Sequence, residues 1–503
     1  MPEIVETHRG AYRDSVSLMQ VSRAVGEVPG VSDALVAMAT ELNLDLLRGL
    51  GFTVPEAATP NDMIVAIRAG EDALGPARER LAAALTEGTP TTGGGTGGGP
   101  EGLGAPPAPR TVGSAAARSG ANLALISTPG RHAFVEAADA LEHGLSVVLF
   151  SDNMPVEQEC LLKDMAAARG LLVMGPDCGT AVVSGVGLGF ANVVRPGPVG
   201  IVAASGTGAQ QLMCLLDHAG TGVSHCLGTG GRDLSAEVAG RSTRQALAAL
   251  DADPATELIV VVSKPPAPRV AREIREYAGT LSTPVRFAVL GQGLDLTSVA
   301  EQAVRDLGGT PPRWPHWDAP DPQRPRPGAL RGLFCGGTLC DEAMLITADR
   351  LGPIRSNIPL RPEWALPADL SAPGHLMIDF GDDRLTAGRA HPMIDGALRL
   401  DRIAAEAADP ECAVLLLDLV LGLCAHPDPA AELAPAIASA RATAAAGGRD
   451  LAVVVSVTGS TTDPQGLDRQ AARVREAGAA VFLSNAAAAR HAAALIEIEK
   501  ENV

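Results

Sequence analysis

The sequence predicts a multidomain α/β protein built on parallel sheets. Three observations carry that reading. From Asn122 onward, continuous apolar strands alternate with amphipathic helices, the pattern of crossover connections. Two strands run into glycine turns that open directly into helices, at Ser205–Gly208 and at Gly336–Thr338. The chain has 503 residues, 46% apolar but only 3% aromatic, and small apolar residues let helices lie close on a sheet.

The elements follow in order. Residues 1–88 mix helical patterns with short strands and read as a small N-terminal α/β domain. Residues 89–110 are rich in Gly and Pro, with Leu103 the one large apolar residue, as in a flexible linker. Residues 111–195 hold the first parallel sheet. Its strands NLALIST, LSVVLFS and LLVMG alternate with the helices RHAFVEAADALEHG and PVEQECLLKDMAAARG. GPDCGT, 175–180, then lies past a strand's carboxyl end, where open sheets place ligands, which makes Asp177 a candidate substrate contact. Residues 196–307 form a second sheet with strands Val199–Ala204, Leu258–Ser263 and Val285–Gly291, and the Pro-rich stretch 308–329 marks a second linker. Residues 330–503 repeat that plan. DPECAVLLLDLVLG parallels DPATELIVVVSKPP, and RDLAVVVSVTGS parallels TPVRFAVLGQG, so the reading is an internal duplication.

The two glycine turns are the candidate anion sites. A helix N-terminus carries unpaired N–H groups and the positive end of the macrodipole. Ser205, Gly206, Thr207 and Gly208 form one such turn, and Gly336, Gly337 and Thr338 the other. A polar cluster follows the strand HLMIDFG: Asp379, Asp382, Asp383, Arg389, His391 and Asp395. His391 precedes Pro392, which biases it to extended backbone in a loop. His391, Arg389 and Asp379 are the catalytic candidates, for general acid/base work or anion binding. The other reading is a solvated loop whose Asp residues cap turns. Asp418 interrupts an apolar strand and needs a partner, with His426-Pro427-Asp428 just beyond it. Thr458–Thr461 is either a further anion turn or a plain βα loop.

Charge and cysteine usage exclude some classes. The net charge of −18 argues against general affinity for nucleic acid or anionic membranes. The three lysines, Lys163, Lys264 and Lys500, leave phosphate contacts largely to Arg and backbone N–H groups. The eight cysteines contain no C-x-x-C pair, so no metal site is assigned; the expectation is reduced, mostly buried thiols, and a catalytic thiol at Cys335 or Cys340 is disfavoured. The opening MPEIVETHRGAYRD is polar, and the apolar run Cys412–Ala425 is short and contains Asp418, so a cytoplasmic protein is expected.

Residues 122–291 resemble the α subunit of succinyl-CoA synthetase and the related NDP-forming acyl-CoA ligases, through GPDCGT, RPGPVGIVAASGTGAQQ, CLGTGGRDLS and DPATELIVVV. Over the whole chain the resemblance is to the FdrA family, through YRDSVSLMQVS (12–22), ALVAMATELN (34–43), IDFGDDRLTAGRAHPMID (378–395) and VLGLCAHPDP (420–429). It implies a Rossmann-like CoA-binding-type domain followed by two flavodoxin-like ligase domains, and chemistry based on an acyl phosphate. It further implies a subunit of oxamate carbamoyltransferase, which interconverts oxalurate plus phosphate with oxamate plus carbamoyl phosphate in allantoin breakdown, working with companion subunits. A CoA ligase of the synthetase type and a non-catalytic scaffold are the alternatives. Two departures bear on this. The Rossmann pattern begins only at Asn122, without the opening glycine turn that grips CoA in the synthetase. The stretch that holds the synthetase's phosphohistidine reads LGQGLDLTSVAE here, 290–301, without histidine. No ATP-grasp-like region is apparent, so ATP would need another subunit. No cofactor is assigned; CoA, a nucleotide, Mg2+ and homo-oligomerisation stay open.

Overall fold

The structure is a computed structural model that describes residues 2–11, 13, 15–54, 58–87, 109–386 and 389–497. Up to residue 108, the linker expected at 89–110 lies outside the described residues. The chain divides into two compact units: an N-terminal unit up to Gly120, together with the short segment Arg389–Ala390, and a C-terminal unit from Ala121 to Thr386 and from His391 onward.

The N-terminal unit contains β1 (Glu3–His8), α1 (Ser15–Gly26), β2 (Val31–Met38), α2 (Glu41–Gly49), β3 (Met63–Ala69), α3 (Leu74–Glu87) and α4 (Val112–Ser119). Its sheet is antiparallel in the order β1-β3-β2. Central β3 is buried on both faces. Met63, Val65 and Ile67 pack with Leu18 and Val25 of α1, while Ile64 and Ala66 face Leu47 of α2 and Phe52.

The C-terminal unit has three sheets. The first is parallel, with β4 (Leu123–Ile126), α5 (Gly130–Glu142), β5 (Ser146–Leu149), α6 (Val156–Ala167) and β6 (Val173–Met174) in sheet order β4-β5-β6. The second comprises β7 (Thr180–Val183), β8 (Val186–Gly189), β9 (Pro196–Ala204), α7 (Gly206–His218), β10 (Val223–Gly228), α8 (Arg241–Asp251), β11 (Leu258–Ser263), α9 (Pro268–Ala278), β12 (Val285–Val289) and α10 (Leu296–Asp306). The third comprises β13 (His316–Trp317), β14 (Ala329–Phe334), α11 (Gly337–Leu351), β15 (Arg355–Ser356), β16 (Leu376–Asp379), α12 (Asp383–Thr386), α13 (Ala397–Ala408), β17 (Cys412–Val420), α14 (Ala430–Ala446), β18 (Ala452–Thr458), α15 (Leu467–Glu476), β19 (Ala479–Phe482) and α16 (Asn485–Ala494).

The orders β12-β11-β9-β10-β7-β8 and β13-β19-β18-β17-β14-β16-β15 share one core, since β12-β11-β9-β10 matches β18-β17-β14-β16 strand for strand. Both are flavodoxin-like, so the architecture is a Rossmann-like layer, two flavodoxin-like layers and a small N-terminal α/β domain. The divisions drawn from sequence shift in two places. The hairpin β7–β8, turned by positive φ at Ser184 and Gly185 (50° and 79°), precedes residue 196 yet joins the second sheet, where Val182 pairs with Cys226 of β10. The Pro-rich stretch 308–329 contributes β13, which pairs with β19.

One buried charge cluster ties the first layer to the second. Lys163 of α6, fully buried, pairs with Glu159 at 2.7 Å and with Asp233 at 2.7 Å, and donates to the Thr229 carbonyl at 3.0 Å. Asp233 also accepts N–H bonds from Ser242 and Thr243 at the start of α8. Removing one partner of such a set strands a buried charge. Lys163→Met is therefore expected to cost about 3–5 kcal/mol, read as a lower urea midpoint. A loss under about 1 kcal/mol would show that the cluster relaxes without its cation.

Candidate functional site

In both flavodoxin-like layers the strand order reverses next to the first strand, between β9 and β11 and between β14 and β17. Open sheets leave a crevice at the carboxyl ends there. α7 and α11 both start at these ends, and their N-termini abut. Ser205, the N-cap of α7, accepts the Gly208 N–H at 3.1 Å, and its hydroxyl bonds the Thr338 hydroxyl of α11 at 2.6 Å. The approach requires glycine at 336, where a Cβ would stand 2.8 Å from Thr207 Cγ2.

The hydroxyls of Ser205 and Thr338, read from sequence as substrate contacts, are therefore spent joining the two helix ends, and Thr207 packs on Gly336. The backbone is left for a ligand. Among the described residues, no acceptor meets the N–H of Gly206, Thr207, Gly337 or Thr338. Gly206 is exposed, and a Cβ there would meet only Thr180 Oγ1 at 3.6 Å. Ahead of α11, the N–H groups of Cys335 and Gly336 donate to the buried Asp418 carboxylate at 2.8 and 2.9 Å, which Arg399 pairs at 2.7 Å. Burial pushes the Asp418 carboxyl up, against the pull of Arg399 and these donors. Asp418 is thus an internal anion that holds the second turn in shape.

Lys264, directly after β11, reaches across to α11, with Nζ 3.7 Å from Asp341 Oδ2. Burial alone would lower its ammonium, but Asp341, Asp379 and Asp177 outweigh that and hold it above its ordinary value. Asp379 ends β16, pinned through its backbone by Asn357 at 2.9 and 2.8 Å, and its Oδ1 accepts the Gly381 N–H at 2.9 Å. A Cβ on Gly337 would lie 2.6 Å from Asp379 Oδ2 and 3.0 Å from Lys264 Nζ, so both side chains stand at the first residue of α11. Burial pushes the Asp379 carboxyl up to about 7 and that of Asp341 up to about 6, with Lys264 opposing both. Asp177, in the left-handed region at φ 58°, lies against Gly231, where a Cβ would be 3.2 Å from its Oδ2. Asp177 is exposed, yet the desolvation of its carboxyl, followed by Asp383 and Asp152, raises it to about 7. As a carboxylate it would repel a phosphate, so contact with an anion requires its protonated form.

His391 differs from its sequence reading. Its Nδ1 accepts the Met393 N–H at 3.2 Å, which assigns the proton of the neutral ring to Nε2. Nε2 points to the turn after β16, 3.0 Å from where a Cβ on Gly381 would stand, and the ring packs on Phe190 at 5.4 Å. Desolvation drives its imidazolium down to about 4. The acids near it in sequence therefore do not make it a proton relay near neutrality; it is a neutral N–H donor. Arg389 is exposed, and its segment groups with the N-terminal unit.

Other motifs resolve as internal contacts. In the Thr458–Thr461 turn, the Ser460 N–H donates to Asp463, which also accepts from the Val193 N–H and the Asn192 amide (2.8, 2.8 and 2.7 Å). The Asp428 carboxylate accepts from the side chains of Arg473, Arg469 and Gln470 on α15. Cys335 and Cys340 are buried, and desolvation pushes both thiols well above their ordinary value, unlike reactive cysteines. Sequence reasoning missed Lys264, Asp341 and Asn357; the scarcity of lysine was the one signal that could have found Lys264. Among the described residues, no helix is long and apolar enough to cross a membrane.

Residues 333–495 match the CoA-ligase family, and residues 1–100 match the AllF, heavy metal-associated domain. The protein YahF of Escherichia coli K12 is 40% identical over 494 residues, 93% of each chain. The chain belongs to the FdrA family of succinyl-CoA synthetase α-subunit-like proteins. The α subunit of the ADP-forming succinate–CoA ligase of Methanothermobacter thermautotrophicus is 29% identical over 146 residues, 28% of this chain and 48% of that one. A dinucleotide-forming acetyl-coenzyme A synthetase of Candidatus Korarchaeum cryptofilum, solved with phosphate and ADP, overlays 77% of this chain and 84% of its own at 18% identity, with a TM-score of 0.30, a score that carries no functional inference. The heavy-metal description does not fit the residues present. Positions 1–100 contain no cysteine, so the thiolates a soft metal prefers are missing.

A buried carboxyl with a raised pKa stabilises the fold below its ordinary value, and that contribution is lost as pH rises through its folded value. For Asp379 the window runs from about 4 to about 7. Asp379→Asn, which keeps an acceptor for Gly381, is expected to gain about 1 kcal/mol or more over wild type at pH 8 and little at pH 4. Equal melting shifts at both pH values would show that Asp379 ionises normally.

Proposed function

We propose that this chain handles an acyl phosphate in the cleft between α7 and α11, as part of a ligase of the acid–thiol type whose companion subunits supply the nucleotide chemistry. One observation supports this above the others: two helix N-termini converge there with Lys264, and the N–H groups of Gly206, Thr207, Gly337 and Thr338 have no acceptor among the described residues. Preorganised donors of this kind stabilise charge that develops on phosphoryl and carbonyl oxygens. In this reading His391 polarises a carbonyl through Nε2–H, and Asp379, which titrates near neutrality, moves the proton.

A second reading is favoured by the tautomer of His391 and by the absence of histidine from 290–301. With Nε2 protonated and no histidine in that stretch, direct transfer from an acyl phosphate needs fewer groups than a phosphohistidine relay. Carbamoyl phosphate as donor and oxamate as acceptor suit such a cleft, as in oxamate carbamoyltransferase, since this transfer needs a phosphate cradle and carbonyl polarisation but no CoA. Supplying the protein and its companion subunits with CoA and acyl phosphates, and separately with carbamoyl phosphate and oxamate, distinguishes the two: thioester forms in the first case, oxalurate in the second. Formation of neither product would sink both.

Two variants probe the cleft. Gly206→Val places a side chain where the anion would sit and is expected to reduce turnover ~10–100-fold with unchanged melting; full activity would point to a scaffold role. His391→Gln keeps an N–H donor, so a loss of about tenfold or less is expected, with the pH profile unchanged. If an inflection near 6.5 in the wild-type profile disappears in this variant, His391 is a proton relay after all.

A further inference from the structure

Lys264 stands at an electrostatically awkward position. A cation near a helix N-terminus adds to the positive end of the dipole. Here the ammonium lies beside the first residue of α11, whose N-terminus abuts that of α7. The other described lysine, Lys163, is consumed by buried ion pairs in a different layer, and Arg232, which acts on Asp177, pairs with Glu159 and the Met154 carbonyl. The groups facing Lys264 are Asp341 and Cys340 on α11, Asp379 on β16 and Asp177 before β7. Asp177 in turn faces Asp383, Asp152 and Arg232, and Asp379 faces Asp418. With all of its carboxylates ionised, this cluster would repel any anion.

We propose that Lys264 is the side chain that takes the anionic group of the substrate, phosphoryl or carboxylate, and that Asp379 and Asp341 couple its arrival to proton uptake. The proposal deepens the reading of the cleft given above and rests on it. An incoming anion contacts the ammonium and sits beside both carboxyl groups. It raises their proton affinity further, and since they already titrate near 7 and 6, they protonate as it binds. Affinity should then be greatest below about 6 and decline as pH rises through 7. Asp341 acts as a positioning residue, because it holds the lysine rather than the substrate.

Sulfate is the probe, as it stays doubly charged from pH 5.5 to 8 and leaves the protein as the one source of pH dependence. Calorimetry on the full chain should show sulfate affinity falling by about tenfold or more across that range, with about one proton taken up per anion in buffers of different ionisation heat. Lys264→Gln should weaken sulfate binding by at least ~10-fold at pH 6, Lys264→Arg should stay within a few-fold, and Asp379→Asn should flatten the pH dependence. Wild-type affinity in Lys264→Gln, or affinity independent of pH, would overturn the proposal. So would failure of the wild type to bind millimolar sulfate while it still turns over an acyl phosphate, a result that leaves the functional reading intact. Binding as expected without turnover of any acyl phosphate would sink the functional reading and retain the subsite.

Discussion

The structure of the C-terminal unit depends on one contact: two helix N-termini meet head to head. Like ends of helix dipoles repel, and the first-turn N–H groups need acceptors. The protein meets both demands with small groups and acids. Glycine at 336 lets Thr207 approach, and the Ser205 and Thr338 hydroxyls bond one another across the joint. Asp418, Asp341 and Asp379 place negative charge around it. What remains uncompensated is a small set of N–H groups beside one ammonium, which is why this joint, and not another part of the sheets, is the chemically capable place.

The internal duplication keeps a four-strand core and differs in chemistry. In the matched strings DPATELIVVV and DPECAVLLLD, the last residues are Val262 and Asp418. Val262 packs against the first turn of α7, where a Cβ on Gly208 would be 3.0 Å from its Cγ1. Asp418 instead binds the backbone ahead of α11 and requires Arg399 as counter-ion. One turn is shaped by apolar packing and the other by an internal carboxylate, so the two helix ends, alike in sequence grammar, differ in what they can offer a ligand. Lys264 sharpens the difference, because it comes from one half and acts at the helix of the other.

Strands buried on both faces were readable where apolar residues ran on, as in β9 and β11, and stayed readable in β14, β17 and β18 around Arg331, Asp418 and Ser456. β10 escapes that pattern. Its Ser224 and His225 break the run, and it is buried all the same because Ser224 finds Thr256 at 2.7 Å. The hairpin β7–β8 looks like part of the preceding layer until its pairing with β10 is known. At the cleft, the helix starts were visible from their glycines, while the bond between the hydroxyls beside them was not, because a serine that caps its own helix and one that holds a phosphate look the same in a string of letters.

Local rules acting within a few residues determined the layer plan, the two glycine-headed helices and their repetition: hydrophobic periodicity, strand burial and the backbone freedom of glycine. Tertiary structure alone decided which groups meet. Lys264, Asp341, Asp379 and His391 come from four separate stretches of chain, and their ionisation depends on desolvation and on neighbours that sequence spacing does not encode. The acids close to His391 in sequence leave its protonation unchanged, whereas burial sets it, since electrostatic energy falls with distance through space and rises as water is removed.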